Sequence, residues 1–494
     1  MAQLTIHGGG TPQTLTFDPP APLSALLERA GAAVPHPCGG RGLCGKCAVT
    51  LTGAAAPMNE QERRAGGRLS CQAVLLGDAQ LYLPQRQALR QIELGGEAAV
   101  PAPRPMPGRY GAAADIGTTT VALKLFELSS GRCLGAAGMP NPQISAAADV
   151  MGRIGAALNG RLEAMQAQIT DALRALLSSV CADAAIAEED VGPLVVAGNT
   201  TMLYLLTGRS PLSLSRAPFE ADTLFDVGMR LLGRPAYLPP CLNAFVGADI
   251  SCAVLASGMC ERADTALLCD IGTNGEIALW HGGTLRVAST AAGPAFEGAG
   301  ISCGCGSVDG AVDRVWLDGG QLRVHTIGGR PPAGLCGSGL IDAVAAFLET
   351  EDISPTGAAS GPLRIADGLS LQPADIRAVQ LAKAAIAAGI DTLLCRAGVR
   401  PDDVRDFYVA GGFGSHMDPA SAAAIGLLPA SLAGRARIVG NAALDGASRL
   451  LLDTDAIGRT RRIAAAARHV RLAGDPGFND SYVEHMLFGD PDEL

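Results

Sequence analysis

A duplication restricts what this chain can fold into more than any other feature. Asp115-Ile116-Gly117-Thr118 stands within YGAAADIGTTTVALKLFEL, and Asp270-Ile271-Gly272-Thr273 stands within ALLCDIGTNGEIALW. Each reads as an apolar strand, a tight turn at the glycine and a second strand. A second pair follows in the same order, a helical stretch and then EDVGPLVVAGN at 189–199 or DDVRDFYVAGG at 402–412. Two pairs repeated in order mark a region built from two similar halves, here placed at 110–265 and 266–494.

The chemistry of these turns points to phosphate. Gly117 and Gly272 permit the turn, while backbone N–H groups and the side chains of Thr118, Thr119, Thr273 and Asn274 face phosphate oxygens. Thr120, Gly275, Gly198 and Asn199 complete the nucleotide-binding set on the two hairpins and on the first member of the second pair. Asp115 and Asp270, at strand ends, are placed to serve Mg2+ or its waters. One such turn is weak evidence, because an Asp-Gly turn is usually only a turn. Two that face each other clamp the phosphates and metal of a nucleotide from both sides. No GxxxxGK[ST] occurs, which excludes the P-loop type of site. Glu276 is a candidate to polarise an attacking water, against the alternative of an exposed strand carboxylate.

Upstream of the repeat, Cys38, Cys44 and Cys47 lie in PHPCGGRGLCGKCAVT and Cys71 in RLSCQ. The C-x5-C-x2-C spacing plus a distant fourth thiolate fits a [2Fe-2S] cluster wrapped by a glycine-rich loop. Zinc accepts four thiolates but usually takes two separated CxxC pairs, and only Cys44 and Cys47 form one; structural free thiols are the other alternative. Around the cysteines, LTIHGG and TLTF read as a hairpin, PLSALLERAG as a helix, CAVTLTG as a strand and RLSCQAVLLGDAQLYLP as two more. That order is the β-grasp ferredoxin order, assigned to residues 1–90. The ten remaining cysteines, Cys303, Cys305 and Cys336 included, are expected to pack as small hydrophobes; a second cluster on those three is a weak alternative, since CxC suits no common pattern.

With 494 residues and 48% hydrophobic residues, the chain has material for several cores. A net charge of -10 argues against nucleic acid as a partner, because phosphate contacts need a basic face. Arg459, Arg461, Arg462, Arg468 and Arg471 read as a solvated helix side. The N-terminus lacks the pattern of a targeting signal and no 18-residue uncharged apolar run is seen, so a cytoplasmic protein without membrane association is expected, its fourteen cysteines kept reduced. GGEAAVPAPRPMPGRY, with its four prolines, predicts an extended linker over 91–109.

The repeated DIGT hairpins, with AGGFG at Ala410–Gly414, resemble the superfamily of actin, sugar and acetate kinases and heat-shock chaperone ATPases. That resemblance implies ribonuclease H-like α/β halves and gives Gly411, Gly412 and Gly414 to the adenosine. The wider set NPQISAAADVMGRI, VAGNTTMLYLLTG, FVGADI, DIGTNGEIAL, STAAGPAFEGAGI, GLCGSGLIDAV, VAGGFG and GNAALDGA, together with the cysteine-bearing domain, resembles the ATP-dependent reductive activators of corrinoid proteins over nearly the whole chain. It implies that reduced [2Fe-2S] and ATP return a Co(II) corrinoid in a partner methyltransferase or corrinoid protein to Co(I), the cluster being recharged by a low-potential donor. It also offers the Ser289–Glu297 segment as a lining for the partner's corrinoid, with Ser289 or Thr290 able to approach cobalt, against the preferred alternative of an ordinary loop, and it implies that the middle domain of some larger members is absent. Alternative readings are an activator of another metalloenzyme, like those of 2-hydroxyacyl-CoA dehydratases, a small-molecule kinase, or a redox-sensing scaffold.

Overall fold

The computed structural model describes residues 1–8, 12–32, 34, 40, 42, 45, 47–83, 104–412 and 416–489. Cys38, Cys44 and Gly414, together with 91–103 of the expected linker, lie outside the described residues. The chain divides into two compact units, Met1–Ala88 with Pro142–Ile169, and Leu89–Asn141 with Thr170–Leu494. Residues 142–169, which the sequence reading places in the first ATPase half, group by packing with the N-terminal domain. Within that unit Arg161 pairs with Glu28 at 2.7 Å.

In the first unit the alternating apolar residues of Ala2–His7 bury Leu4 and Ile6, which pins the register of an antiparallel pairing with Gln13–Phe17. Ala2–His7 also runs parallel to Val74–Tyr82, itself antiparallel to Ala48–Ala55. Leu23, Leu26 and Leu27, three to four apart on helix Leu23–Arg29, pack onto the face made by Leu4, Leu75 and Leu81. This is the expected β-grasp arrangement. A capping box starts helix Glu60–Ala65: Asn59 Oδ1 accepts from Glu62 N–H at 2.9 Å and the Glu62 carboxylate accepts from Asn59 N–H at 3.0 Å. The same buried carboxylate accepts from Leu69 N–H at 3.2 Å, fixing the short strand that leads into Cys71.

The second unit realises the duplication strand for strand. Tyr110–Ile116, Thr120–Glu127 and Arg132–Pro140 form an antiparallel meander, and Val191–Gly198 and then Arg234–Leu238 add in parallel to its first strand. The second half repeats this with the meander Ala266–Ile271, Gly275–His281 and Thr284–Thr290, joined in parallel by Asp406–Ala410 and Ala436–Gly440. Near-continuous apolar runs are what strands covered on both faces require, and all seven residues of Tyr110–Ile116 are buried. Helices Ala248–Ser257 and Ala442–Leu452 fill a core shared by the two sheets. They cross at Gly446, where a Cβ atom would stand 2.0 Å from the Cys252 carbonyl oxygen, so only glycine permits this approach.

Helix Pro373–Ala397 is long and apolar enough to cross a membrane, but 78% of its apolar window is buried against the second sheet and its neighbours, as a core helix is. The end of the expected linker is fastened rather than extended. Arg104 O accepts from Thr454 N–H at 2.8 Å, and Met106 N–H donates to Leu451 O at 3.0 Å. The basic run is helical only to Ala466; Arg459 pairs with Asp453 and Arg461 with Asp226, so these are committed ion pairs rather than a free patch.

Candidate functional site

The two DIGT turns open into one cleft. In the first, Gly117 N–H donates to Thr120 O at 2.9 Å, closing the turn, and Asn141 braces it from behind through Nδ2 to Gly117 O at 2.8 Å and N–H to Thr119 O at 2.7 Å. In the second, Gly272 N–H donates to Asn274 O at 3.0 Å, and Thr273 O accepts from Gly293 N–H at 2.9 Å. Gly198 ends a strand in register with Ile116, so Asn199 emerges beside the first turn. There its Oδ1 caps helix Thr200–Leu206 while its Nδ2 donates to Thr118 Oγ1 at 3.0 Å. Gly411, in the left-handed region at φ 118°, follows the strand paired with Ala266–Ile271; a Cβ there would lie 2.2 Å from Ile271 O. Gly412 lines the same cleft.

Four carboxyl groups share its floor, Asp115 and Glu276 buried and Asp249 and Asp270 half-buried. Burial, partly offset by an Asn441 hydrogen bond at 3.1 Å, raises Asp115 to about 6. Burial followed by repulsion from Asp115 and Glu297 raises Asp270 to about 7. Burial and then Asp115 and Asp270 raise Asp249 to about 8, and Glu276, cross-strand from Asp270, is pushed well above the usual carboxylate range chiefly by burial. The described residues lining the cleft include no lysine or arginine. Asp115 Oδ1 is buried with no hydrogen-bond partner among the described residues. Acceptors this crowded and this poorly neutralised fit a divalent cation arriving with polyphosphate. Among the described residues no three His, Cys, Asp or Glu side chains converge as direct ligands.

Several sequence expectations change here. Glu276 is 7% exposed, so the alternative of an exposed strand carboxylate is excluded. Thr290 is buried, with its methyl group close to Gly275 and Gly389, and Ser289 is half-buried. Glu297, the last residue of that segment, turns into the cleft. Cys303 and Cys305 are half-buried, Cys336 is buried, and none takes part in a metal-holding group. Asp249 and Asn441 were not singled out from sequence. Their signals were an acid two residues after the glycine of FVGADI and an asparagine N-cap opening GNAALDGA.

In the first unit, Cys47 Sγ and Cys71 Sγ lie 3.2 Å apart, and their hydrogen bond pulls the Cys47 thiol down to about 6 against the opposing effect of burial. Gln72 Nε2 donates to Gly40 O at 2.5 Å and to Cys71 Sγ at 3.7 Å, fastening the loop to one sulfur. Two converging sulfurs, one of them readily ionised, fit half of a four-thiolate cluster site.

A ferredoxin-type domain and a duplicated, two-hairpin ATPase on one chain define an iron-sulfur protein of the actin-like class. The comparisons carry this further. Residues 6–76 match the 2Fe-2S iron-sulfur cluster binding domain, 110–262 the RACo middle region, and 264–493 the C-terminal domain of RACo, the ASKHA domain. The corrinoid activation enzyme RamQ of Eubacterium limosum is 33% identical over 420 residues, covering 77% of this chain and 70% of that protein. The [Co(II) methylated amine-specific corrinoid protein] reductase of Methanosarcina barkeri is 26% identical, with 77% of each chain covered. A solved reductive activator for corrinoid, iron-sulfur protein superposes with a TM-score of 0.73 at 25% identity, over 99% of this chain and 98% of that one. The chain belongs to the RACo family. The expected absence of a middle domain is corrected, since the family's middle region is the first of the two duplicated halves.

Proposed function

We propose that this protein restores a partner's corrinoid by ATP-dependent one-electron reduction of Co(II) to Co(I). The observation that carries this reading is the joining, in one chain, of a thiolate loop on a ferredoxin sheet to a cleft where two phosphate hairpins face each other. Cys38, Cys44, Cys47 and Cys71 would hold a [2Fe-2S] cluster, which would supply one low-potential electron drawn from an external donor. A step uphill by ~200 mV costs roughly 4–5 kcal/mol, which a cluster near about -400 mV does not cover alone. Nucleotide must supply the difference through states that bind the partner unequally.

The chain's own residues divide that work. Gly117, Thr118, Thr119, Thr120, Gly272, Thr273, Asn274 and Gly275 cradle phosphates, and Asn199 and Gly198 hold the first hairpin in place. Asp115 and Asp270, with Asp249 beside them, hold Mg2+ through its waters, and Glu276 orients a water toward the terminal phosphate. Gly411, Gly412 and Gly414 lie against the nucleoside. A cytoplasmic setting belongs to the proposal and accords with the free cysteines.

The test is anaerobic. With the cluster reduced, the protein should convert a cognate Co(II) corrinoid protein to Co(I), followed by its absorption band, only when ATP and Mg2+ are both present. Equal Co(I) yield without ATP would reduce the protein to an ordinary ferredoxin donor.

A further inference from the structure

The hydroxyls that the two hairpins offer to phosphate are already bonded to a carboxylate of the protein itself. Thr119 Oγ1, from the first half, donates to Glu297 Oε2 at 2.7 Å, and Thr273 Oγ1, from the second, donates to the same oxygen at 2.5 Å. The two hydroxyl oxygens are 3.4 Å apart. One anionic oxygen thus sits where both lips of the cleft converge, and Glu297 Oε1 lies 3.5 Å from the position a Cβ would take on Gly272. A phosphate group needs the same hydroxyls and carries the same sign of charge, so it and the carboxylate cannot share them.

Resting on the nucleotide-cleft reading above, we infer that Glu297 is a built-in phosphate surrogate that latches the two hairpins together without nucleotide and is expelled when the terminal phosphates enter. Its surroundings convert expulsion into a movement of one defined segment. Phe296, beside it, is fully buried. Gly298, at φ 75°, approaches the Cys305 backbone so closely that a Cβ would fall 2.3 Å from the Cys305 carbonyl oxygen. Ser302 is fastened to Asp375, N–H to Oδ1 at 2.7 Å and Oγ to Oδ2 at 2.5 Å. The far end of the loop is therefore held, and release of Glu297 acts on residues 291–300, whose Ala291 and Gly300 are exposed. Those residues carry the nucleotide state to the protein surface.

The experiment is Glu297→Gln in the full-length protein, which keeps an acceptor oxygen for both threonines and removes the charge. Calorimetric titration with ATP, with and without Mg2+, should show roughly tenfold tighter binding than wild type. Hydrogen exchange over 291–300 in nucleotide-free Glu297→Ala, which removes the oxygen that both threonines bond, should match wild type with ATP bound. Weaker ATP binding would instead make Glu297 a contributor to the metal or phosphate cradle, and unchanged binding would make it a bystander; either result overturns the latch. Glu297→Ala provides the same reading should the glutamine variant fold poorly. Wild-type protein that binds no ATP would sink the nucleotide cleft itself, whereas wild-type binding without the gain in Glu297→Gln sinks only the latch.

Discussion

Burial, with repulsion from neighbouring carboxylates added at Asp249 and Asp270, lets Asp115, Asp249 and Asp270 each keep its proton over a range where an ordinary aspartic acid, near 3.8, has released it. The folded state then binds more protons than the unfolded chain, so stability falls as pH rises from about 4 through about 8, by an amount on the order of a few kcal/mol. Thermal unfolding of the metal-free protein should show a lower Tm at pH 8 than at pH 5.5. Asp249→Asn should flatten that dependence, and MgATP should flatten it too, because the cation supplies the missing positive charge. Asp270→Ala should abolish the Tm gain from MgATP while leaving iron content unchanged; simultaneous loss of iron would contradict independent cofactor sites. Asp115 and Asp270 were legible in the sequence because a strand, a turn and a strand are local. Asp249, Glu297 and Asn441 were not, since each reaches the cleft from an element distant in sequence, and nothing nearby marks a carboxylate that packing will bury.

At the level of elements, the hairpins and the ferredoxin strands followed from periodicity and from the repeat, whereas the parallel additions to each sheet are long-range pairings that neither reports. The helix crossing did not, because it depends on Gly446 meeting a backbone carbonyl nearly two hundred residues earlier. Gly446→Ala should therefore cost about 2 kcal/mol or more in urea unfolding, since the contact is with backbone and cannot be relieved by a rotamer change. It should also weaken MgATP binding, because Asp249 and Asn441 stand at the start of these two helices. Gly458→Ala, whose new methyl would meet nothing nearer than an arginine terminus at 3.8 Å, should instead gain about 0.5–1 kcal/mol as an ordinary helix-interior replacement.

For the molecule as a whole, the least legible feature was which residues group together. Pro142–Ile169 reads as part of the ATPase half yet packs with Met1–Ala88, since compactness is a matter of long-range contacts that spacing along the chain does not report. A protein beginning at Arg104 should retain MgATP binding but melt at a lower temperature, having lost the packing of 142–169, and should yield no Co(I) unless a chemical reductant replaces the cluster. Retained Co(I) formation with only the physiological donor would remove the N-terminal domain from the electron path. The crossing of Ala248–Ser257 over Ala442–Leu452 carries a mechanical consequence. With no side chain between them at Gly446, the helices resist sliding but can pivot, so the contact is a fulcrum. Asn441 lies five residues from it, a lever arm of about 7 Å at ~1.5 Å per residue, and a rotation of about 10° would swing that end of the helix by about 1 Å. Motions of that size, small at the pivot, are enough to make or break a hydrogen bond on the cleft floor.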